Sequence, residues 1–279
     1  MYDKTGIIVT KKKDNRLIKK RSIIATILIA LMWCFTIEPN VVTVTKYKVK
    51  DDALKGVKVV FAGDLHVKPY QEKRLDYIVK KINAQEPDIV LLVGDYVNMH
   101  SEFMSYPVAK TAEALSKIKS KAGIYTVLGN HDYFKEGQKI KDALTSNGIT
   151  VLENRCRKIE IGQKTFYVAG IEDLTTGFPD VVRALKYAKP PVILLSHQPD
   201  IFPYLPKGIN LTLAGHLHGG QVAIPFIGPI VAPSRFGVKY ASGYFEEDGK
   251  KMIVTKGLGT SCLPIRFNCP PEIVVVEFE

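Results

Sequence analysis

Short apolar runs recur along this chain, and each is followed by a group of polar residues. Five of the runs are rich in Val, Ile and Leu, a composition typical of strands that are buried on both faces. They occupy residues 57–62, 88–93, 124–128, 192–195 and 211–214. The pattern therefore predicts a sheet that other layers of structure cover on both sides.

Amphipathic stretches separate several of these runs and predict helices. The stretches cover residues 71–83, 108–119, 137–147 and 181–187. After residue 151 we expect further strands, at residues 157–161, 165–169, 251–255 and 273–278. This alternation indicates an α/β domain, and 279 residues with 46% apolar content can bury a sizeable core.

The first 40 residues differ from the rest of the chain. Residues 1–21 form a basic tail whose eight Lys or Arg and two Asp supply +6 of the net charge of +11. Residues 22–40 contain a stretch, 23–37, without a charged side chain. It is short for a bilayer span of roughly 20 residues but lacks a small-residue cleavage site at its end. An uncleaved membrane anchor is favoured; a cleaved signal and an interfacial or buried helix are the alternatives.

Charge predicts the orientation of this stretch and the class of partner. Basic residues on its N-terminal side favour a cytoplasmic N-terminus, so the following domain is expected outside the cytoplasm; an interfacial helix would leave it on the cytoplasmic face. That domain comprises residues 55–279 and follows a linker or edge strand at residues 41–54. Beyond residue 21 the net charge is only +5, which argues against a long nucleic acid as the binding partner. No feature indicates a protein partner.

Five of the six histidines lie in short motifs directly after the predicted strands. The motifs read Gly-Asp-x-His, Gly-Asn-His-Asp, Ser-His and Gly-His-x-His, with Gly-Asp-Tyr-Val-Asn between the first two. Their polar residues are Asp64, His66, Asp95, Asn98, Asn130, His131, Asp132, His197, His216 and His218. Imidazole and carboxylate groups bind zinc, manganese or iron, and two such ions about 3.5–4 Å apart commonly cleave phosphate esters. The motifs predict a two-metal site, in which His100 is assigned no role.

The position of the motifs explains how they meet. In a sheet covered on both faces, the carboxyl ends of parallel strands lie along one edge, so loops from five strands can converge. Glycines at 63, 94, 129 and 215 are expected to let the backbone turn sharply off each strand. Two domains would split this site, so one domain is favoured.

These motifs resemble those of the calcineurin-like metallophosphoesterases, over about residue 55 to the C-terminus. The segments 215–221, 256–261 and 264–267, and the pair Glu38-Pro39, resemble a narrower group. That group comprises bacterial membrane-anchored phosphodiesterases similar to UDP-2,3-diacylglucosamine pyrophosphohydrolases. The resemblance implies a four-layer α-β-β-α sandwich with two mixed sheets, preceded by a membrane helix, in a bacterial cytoplasmic membrane.

The resemblance also implies a role for each matched residue. Asp64, His66 and His218 would hold the first metal, Asn130, His197 and His216 the second, and Asp95 would bridge both. The metals would be manganese, iron or zinc, with manganese favoured, and a hydroxide between them would attack phosphorus. His131, followed by Asp132, would stabilise or protonate the leaving group.

One position departs from the family pattern. Many relatives have Asp three residues after the bridging carboxylate, where it pairs with the catalytic histidine, but this chain has Asn98. An amide holds a charged imidazolium less strongly than a carboxylate does. We therefore expect His131 to be a weaker proton donor, which favours substrates with good leaving groups; the alternative is that another residue partners His131.

The segment after the last motif is apolar and contains three prolines, over residues 221–233. It is expected to be a loop that takes an acyl chain or touches the bilayer, or alternatively a strand and loop packed on the core. Arg235, Lys239 and Arg266 are candidate phosphate-binding groups by residue type, with a surface role as the alternative.

Together these features predict metal-dependent hydrolysis of a phosphodiester or pyrophosphate bond at the membrane, on a lipid-linked or nucleotide-containing substrate. The enzymatic alternative is a cyclic-nucleotide phosphodiesterase or a nuclease. A non-catalytic metal-binding scaffold is disfavoured because no metal-binding histidine of the motifs is missing.

Overall fold

A computed structural model describes residues 15–69, 71–98 and 108–279 of the chain. Most of the predicted basic tail, up to residue 14, and His100 lie outside the described residues. The helices are α1 (Asn15–Met32), α2 (Glu72–Asn83), α3 (Val108–Leu115), α4 (Asn130–Ser146) and α5 (Val181–Leu185). The predicted helices correspond to α2 to α5.

The strands of the described residues form two large sheets and one small one. In chain order they are β1 (Thr43–Val49), β2 (Lys58–Ala62), β3 (Ile89–Leu92), β4 (Ile124–Thr126), β5 (Ile149–Val151), β6 (Arg155–Ile161), β7 (Lys164–Gly170), β8 (Val192–Leu195), β9 (Leu211–Ala214), β10 (Ala223–Ile224), β11 (Gly228–Pro229), β12 (Gly243–Glu247), β13 (Lys250–Val254) and β14 (Glu272–Phe278). The first sheet has the order β1-β14-β2-β3-β4-β5 and the second β12-β13-β9-β8-β7-β6. Both are mixed: β14 runs antiparallel to β2, and the β6–β7 and β12–β13 pairs are antiparallel.

Alternating side chains of the central strands pack into different layers. In β2, Val59 and Phe61 contact the second sheet, whereas Val60 and Ala62 pack beneath α2, α3 and α4. In β8, Ile193 and Leu195 face the first sheet, and the neighbouring residues pack on the side of α5. Both faces of each central strand are buried, which explains the continuous apolar runs. The result is the expected four-layer α-β-β-α sandwich.

One strand lies within the segment 41–54 that was expected to be a linker or edge strand, and one helix begins earlier than predicted. Residues 43–49 form β1, an edge strand that pairs in parallel with β14. Helix α4 begins at Asn130 rather than at residue 137, and its backbone is irregular at Glu136, where φ is −157°. Asn130 and His131 therefore lie in the first turn of a helix.

The N-terminal apolar helix projects from the domain. It continues past α1 through a π-helical turn, Trp33–Ile37, and a 3-10 turn, Glu38–Asn40. The segment Lys19–Asn40 is long and apolar enough to cross a membrane, and only 6% of its most apolar window is buried. It is therefore not a core helix of the domain, which contradicts the buried-helix alternative.

The layer between the two sheets should dominate stability. Phe166 on β7 is fully buried there, so Phe166→Ala should lower the free energy of unfolding by about 3–5 kcal/mol through lost contacts and a cavity. The matched control is Phe178→Ala, because Phe178 is 87% exposed and its loss should change stability by less than about 0.5 kcal/mol. Urea denaturation of both variants in one detergent measures the difference; equal effects would contradict this packing.

Candidate metal centre

The seven candidate metal ligands lie at the carboxyl ends of five strands. The first sheet supplies Asp64 and His66 after β2, Asp95 after β3, and Asn130 after β4; the second sheet supplies His197 after β8, and His216 and His218 after β9. The structure brings all of them to one edge of the sandwich, where the Asp and His side chains, together with His131, form overlapping groups of donors and Asn130 contacts His197. All of these side chains are buried except those of Asn130 and His216, which are partly exposed.

Asp95 belongs to two groups of donor atoms. In the first, His66 Nε2 lies 3.1 Å from His218 Nε2 and 3.4 Å from Asp95 Oδ2. Asp64 Oδ1 completes this group at 3.8 Å from His218 Nε2. In the second, His197 Nε2 lies 3.3 Å from the same Asp95 oxygen.

The second group is completed by an amide and an imidazole. His197 Nε2 lies 3.1 Å from Asn130 Oδ1 and 3.2 Å from His216 Nδ1. Donors held about 2.0–2.2 Å from one ion, at roughly 90–110° to each other, lie about 2.8–3.6 Å apart. All but one of these spacings fall in that range, so the residues fit a divalent cation in each group.

Backbone carbonyls set the orientation of two imidazole rings. His66 Nδ1 lies 3.2 Å from Val97 O, and His197 Nδ1 lies 2.6 Å from Val93 O. Since a carbonyl oxygen only accepts, each Nδ1 carries a proton and donates it. In the neutral ring this leaves the Nε2 lone pair for a metal.

Burial and mutual charge set the protonation of the donors. Burial lowers the pKa of His66 to about 3 and that of His216 to about 4, so both rings are neutral and present lone pairs. Burial raises the pKa of Asp64 to about 7. Burial also opposes ionisation of Asp95, but the positive charge of His197 outweighs it and lowers the Asp95 pKa. Conversely, burial lowers the His197 pKa, but Asp95 outweighs that effect and raises it to about 10.

Several candidate ligands have strained backbone conformations. Positive φ angles between 40° and 70° occur at Asp64, His66, Asp95, His216 and His218. Such conformations cost about 1–3 kcal/mol each and are common at functional sites. Of the four glycines expected to make turns, only Gly94 has a positive φ, of 83°. Gly129 serves close approach instead, because a Cβ there would lie 2.2 Å from Asp95 Oδ1.

Comparison with known proteins identifies the family. The family model for calcineurin-like phosphoesterases matches residues 57–220, which is more than half of the chain. The chain belongs to the calcineurin-like phosphoesterase family. With its His and Asp clusters, the protein is a metal-dependent hydrolase of phosphoesters, a metallophosphoesterase.

Several relatives agree with this family. Phosphodiesterase YaeI of Escherichia coli is 32% identical over 234 residues, which cover 82% of this chain and 84% of that protein. An uncharacterized metallophosphoesterase of Bacillus subtilis, YkuE, is 30% identical over 86% of each chain. A transmembrane protein with a metallophosphoesterase domain from Danio rerio is 30% identical over 80% of this chain and 53% of its own length.

The fold also matches that of a 5'-nucleotidase precursor from Thermus thermophilus. The TM-score is 0.50 at 13% identity, over 73% of this chain and 49% of that chain. At this identity the likeness concerns the fold alone. It agrees with the two mixed sheets and the four layers.

His131 and Asp132 connect α4 to the loop that carries Asp95. The His131 backbone N–H donates to Asp95 Oδ1 at 3.0 Å, and the His131 ring packs edge-on against His66, 4.6 Å between centroids. Asp132 accepts backbone hydrogen bonds from Asp95, at 2.8 Å, and from Gly129, at 3.0 Å. Its carboxylate therefore fixes the Asp95 loop to the start of α4. Asn98 is also buried, at 8% exposure, three residues beyond Asp95.

The prediction that Arg266 binds phosphate is wrong. Its guanidinium is fully buried and donates to the carbonyl oxygens of Lys256, Gly259 and Cys269. These bonds hold the segment that packs behind the metal centre and leave the guanidinium pointing away from solvent. Residue type alone suggested an anion-binding group, whereas burial gives this arginine a structural role.

The other two cations lie at the surface. Lys239 Nζ lies 2.9 Å from a carboxylate oxygen of Glu247, so it is already paired. Arg235 is exposed, and its backbone N–H donates to Asp200 at 2.8 Å. A phosphate contact by Arg235 stays a prediction.

The structure adds residues to the site that the motifs did not reveal. Cys269 Sγ lies 3.3 Å from the carbonyl oxygen of the candidate ligand His218, and the Cys269 N–H donates to Glu38 at 2.6 Å. Glu38 is buried and also accepts from Trp33 Nε1 at 2.7 Å. The end of the N-terminal helix therefore packs directly behind His218. Only the resemblance of Glu38-Pro39 and of the C-terminal segments to relatives pointed here.

Because Asp95 belongs to both donor groups, Asp95→Asn should weaken metal binding at both positions. We expect wild type to retain about two metal equivalents after dialysis and the variant to retain fewer than about one, since a neutral amide cannot bridge two cations. The matched control is Asp76→Asn on α2, where the carboxylate is exposed. Elemental analysis of the purified proteins measures this, and an unchanged metal content in Asp95→Asn would contradict the shared-ligand geometry.

Proposed function

We propose that this protein hydrolyses a phosphodiester or pyrophosphate bond at a membrane, in a lipid-linked or nucleotide-containing substrate. The observation that carries the proposal is the position of Asp95, whose Oδ2 lies 3.3–3.4 Å from a histidine of each donor group. One metal would be held by Asp64, His66 and His218, the other by Asn130, His197 and His216. Manganese, iron and zinc all suit this mixture of imidazole and oxygen donors, and we favour manganese.

The protein's own residues would orient the reaction. When bound, two divalent ions lower the pKa of water and neutralise the charge on phosphate oxygens. The Nδ1–H bonds of His66 and His197 to backbone carbonyls would keep their Nε2 atoms directed toward bound metals. His131 would act at the leaving-group oxygen, where its ring N–H donates a hydrogen bond or a proton.

Several observations support a membrane substrate. The apolar helix is joined to the domain through Glu38, which accepts from the Cys269 N–H and also from Trp33 Nε1, and through the Cys34 carbonyl, which accepts from the Arg266 N–H at 3.0 Å. A cleaved signal would remove two of these partners, so a retained anchor fits better. The relatives include a protein named phosphodiesterase and one named as transmembrane. We assign the protein to the anchored group similar to UDP-2,3-diacylglucosamine pyrophosphohydrolases, with its domain outside the cytoplasm.

A panel of substrates tests the proposal. Wild type with manganese should hydrolyse a lipid-linked UDP-sugar or a glycerophosphodiester faster than cyclic nucleotides or defined oligonucleotides. The activity of Asp95→Asn should be at least about 100-fold lower than that of wild type. The variant would hold its cations poorly, so the charge of the transition state would no longer be neutralised. Faster hydrolysis of cyclic nucleotides or oligonucleotides would favour the alternative activity. Full activity in Asp95→Asn would place the active site elsewhere.

The leaving group should reveal the role of His131. His131→Ala should reduce kcat/KM for an alkyl diester by roughly 100-fold or more, and less for a nitrophenyl diester, whose leaving group departs without a proton. Asn98→Asp should raise the rate on the alkyl diester relative to the nitrophenyl diester, since a carboxylate supports a charged imidazolium better than an amide does. Kinetics on both substrate classes measure the ratio. The same loss on both classes in His131→Ala would refute leaving-group assistance, and an unchanged ratio in Asn98→Asp would refute the role given to Asn98.

A further inference from the structure

The segment that follows the metal motif Gly-His-Leu-His is an exposed apolar hairpin. Residues 222–233 contain no charged or hydrogen-bonding side chain, and β10 and β11 pair antiparallel within them. Phe226 at the tip is completely exposed, Ile227 is 76% exposed and Val231 74% exposed. Phe226 also has a φ of 68°, which is unfavourable for a bulky side chain. Water is a poor environment for such a surface, so a partner should cover it.

Hydrogen bonds place this apolar hairpin beside the N-terminal helix. The Arg266 N–H donates to the Cys34 carbonyl of the helix at 3.0 Å. The next residue, Phe267, bonds to the base of the hairpin, accepting from Ala223 and donating to Gln221, both at 2.9 Å. Residues 266–267 therefore lie between the helix and the base of the hairpin and bond to both. Neighbouring extended segments lie about 5 Å apart, so the hairpin base is close to the helix.

The attachment point lies near the domain end of the segment that could cross a membrane. Lys19–Asn40 contains 22 residues, about 33 Å of helix, which matches a bilayer core. Cys34 precedes the end of this segment by six residues, or about 9 Å. Trp33 and Phe35 are 46% and 44% exposed at the same level, and aromatic side chains concentrate at membrane interfaces. Trp33 and Val41 share a surface cavity with Pro225 of the hairpin.

We propose that the apolar hairpin inserts into the interfacial layer of the membrane that holds the N-terminal helix. This inference rests on the proposed anchoring. The anchor keeps the hairpin next to the bilayer, so insertion is an intramolecular step that needs little affinity. A protein partner is less suitable, because protein interfaces surround an apolar centre with polar groups, and this segment has none on its side chains.

Insertion would also determine how substrate reaches the metals. Val222 follows the ligand His218 by only four residues, through Gly219 and Gly220. The metal centre would therefore face the headgroup layer. A phosphodiester or pyrophosphate in a lipid headgroup would enter from the plane of the membrane, with its acyl chains still in the bilayer.

Photo-crosslinking tests this arrangement. The full chain carries p-benzoylphenylalanine in place of Phe226 and is reconstituted in vesicles of phosphatidylethanolamine and phosphatidylglycerol. We expect lipid adducts by mass spectrometry at position 226. The matched control is Tyr187, which is 74% exposed and precedes the start of β8, whereas the metal centre follows the end of that strand. Position Leu28 in the helix serves as the positive control.

The possible outcomes test insertion of the hairpin separately from the proposed anchoring and the proposed substrate. Lipid adducts at 28 but none at 226, or adducts at 226 only to a second protein chain, would overturn the inference while leaving the anchor intact. No adducts at 28 would refute both anchor and inference. Because crosslinking needs no turnover, a wrong substrate assignment leaves this result interpretable.

A second measurement compares the rates on a membrane-embedded substrate and on a soluble substrate. Phe226→Ser combined with Ile227→Ser should lower the rate on a vesicle-embedded lipid phosphodiester, relative to a soluble bis-aryl phosphate, by roughly tenfold, because two apolar side chains no longer enter the membrane. The control is Val182→Ser with Tyr187→Ser, which removes two exposed apolar residues near α5. The same ratio in both double variants would contradict insertion.

Discussion

The shared Asp95 carboxylate is the interaction on which the rest of this site depends. It lies within 3.4 Å of one imidazole nitrogen from each donor group, and its side chain is buried. Buried groups of this kind are stable only if their charges and lone pairs are compensated. Two cations would compensate them together, whereas protons do so only in part, by charging His197 and leaving His66 neutral. The arrangement of donors is therefore an argument for metals.

Holding these donors together requires a rigid surrounding. The positive φ angles at five of the candidate ligands are unfavourable locally and persist because other contacts fix the loops. Asp132 is one such contact, since it accepts backbone hydrogen bonds from Asp95 and from Gly129. The close approach at Gly129 is another, because any side chain there would displace Asp95. The strain and its compensation both lie at the edge where the two sheets meet.

The N-terminal helix is structurally continuous with this edge. Glu38 bonds to Cys269, and the Cys269 thiol lies against the backbone of His218. Arg266, buried in the same region, bonds to the carbonyls of the glycine-rich segment that packs behind Asp64. The N-terminal apolar helix, the candidate metal centre and the apolar hairpin are thus joined within a few residues of one another. This connection supports the proposal that the enzyme works on a substrate presented by a membrane.

The sequence by itself determined the central strands, most of the helices and the residues that meet at the metal centre. It did so because strands buried on both faces read as continuous apolar runs, and because each ligand follows such a run directly. It did not reveal that α4 begins at Asn130, since polar metal-site residues in the first turn of a helix carry no amphipathic period. Nor did it determine the role of Arg266. The residue type suggested phosphate binding, whereas the buried guanidinium donates to backbone carbonyls. Those features depend on contacts that residue type does not encode, such as the bonds of Asp132 to the backbone of Asp95 and Gly129 and the bond of the Arg266 N–H to the distant Cys34 carbonyl, and only the tertiary structure decides them.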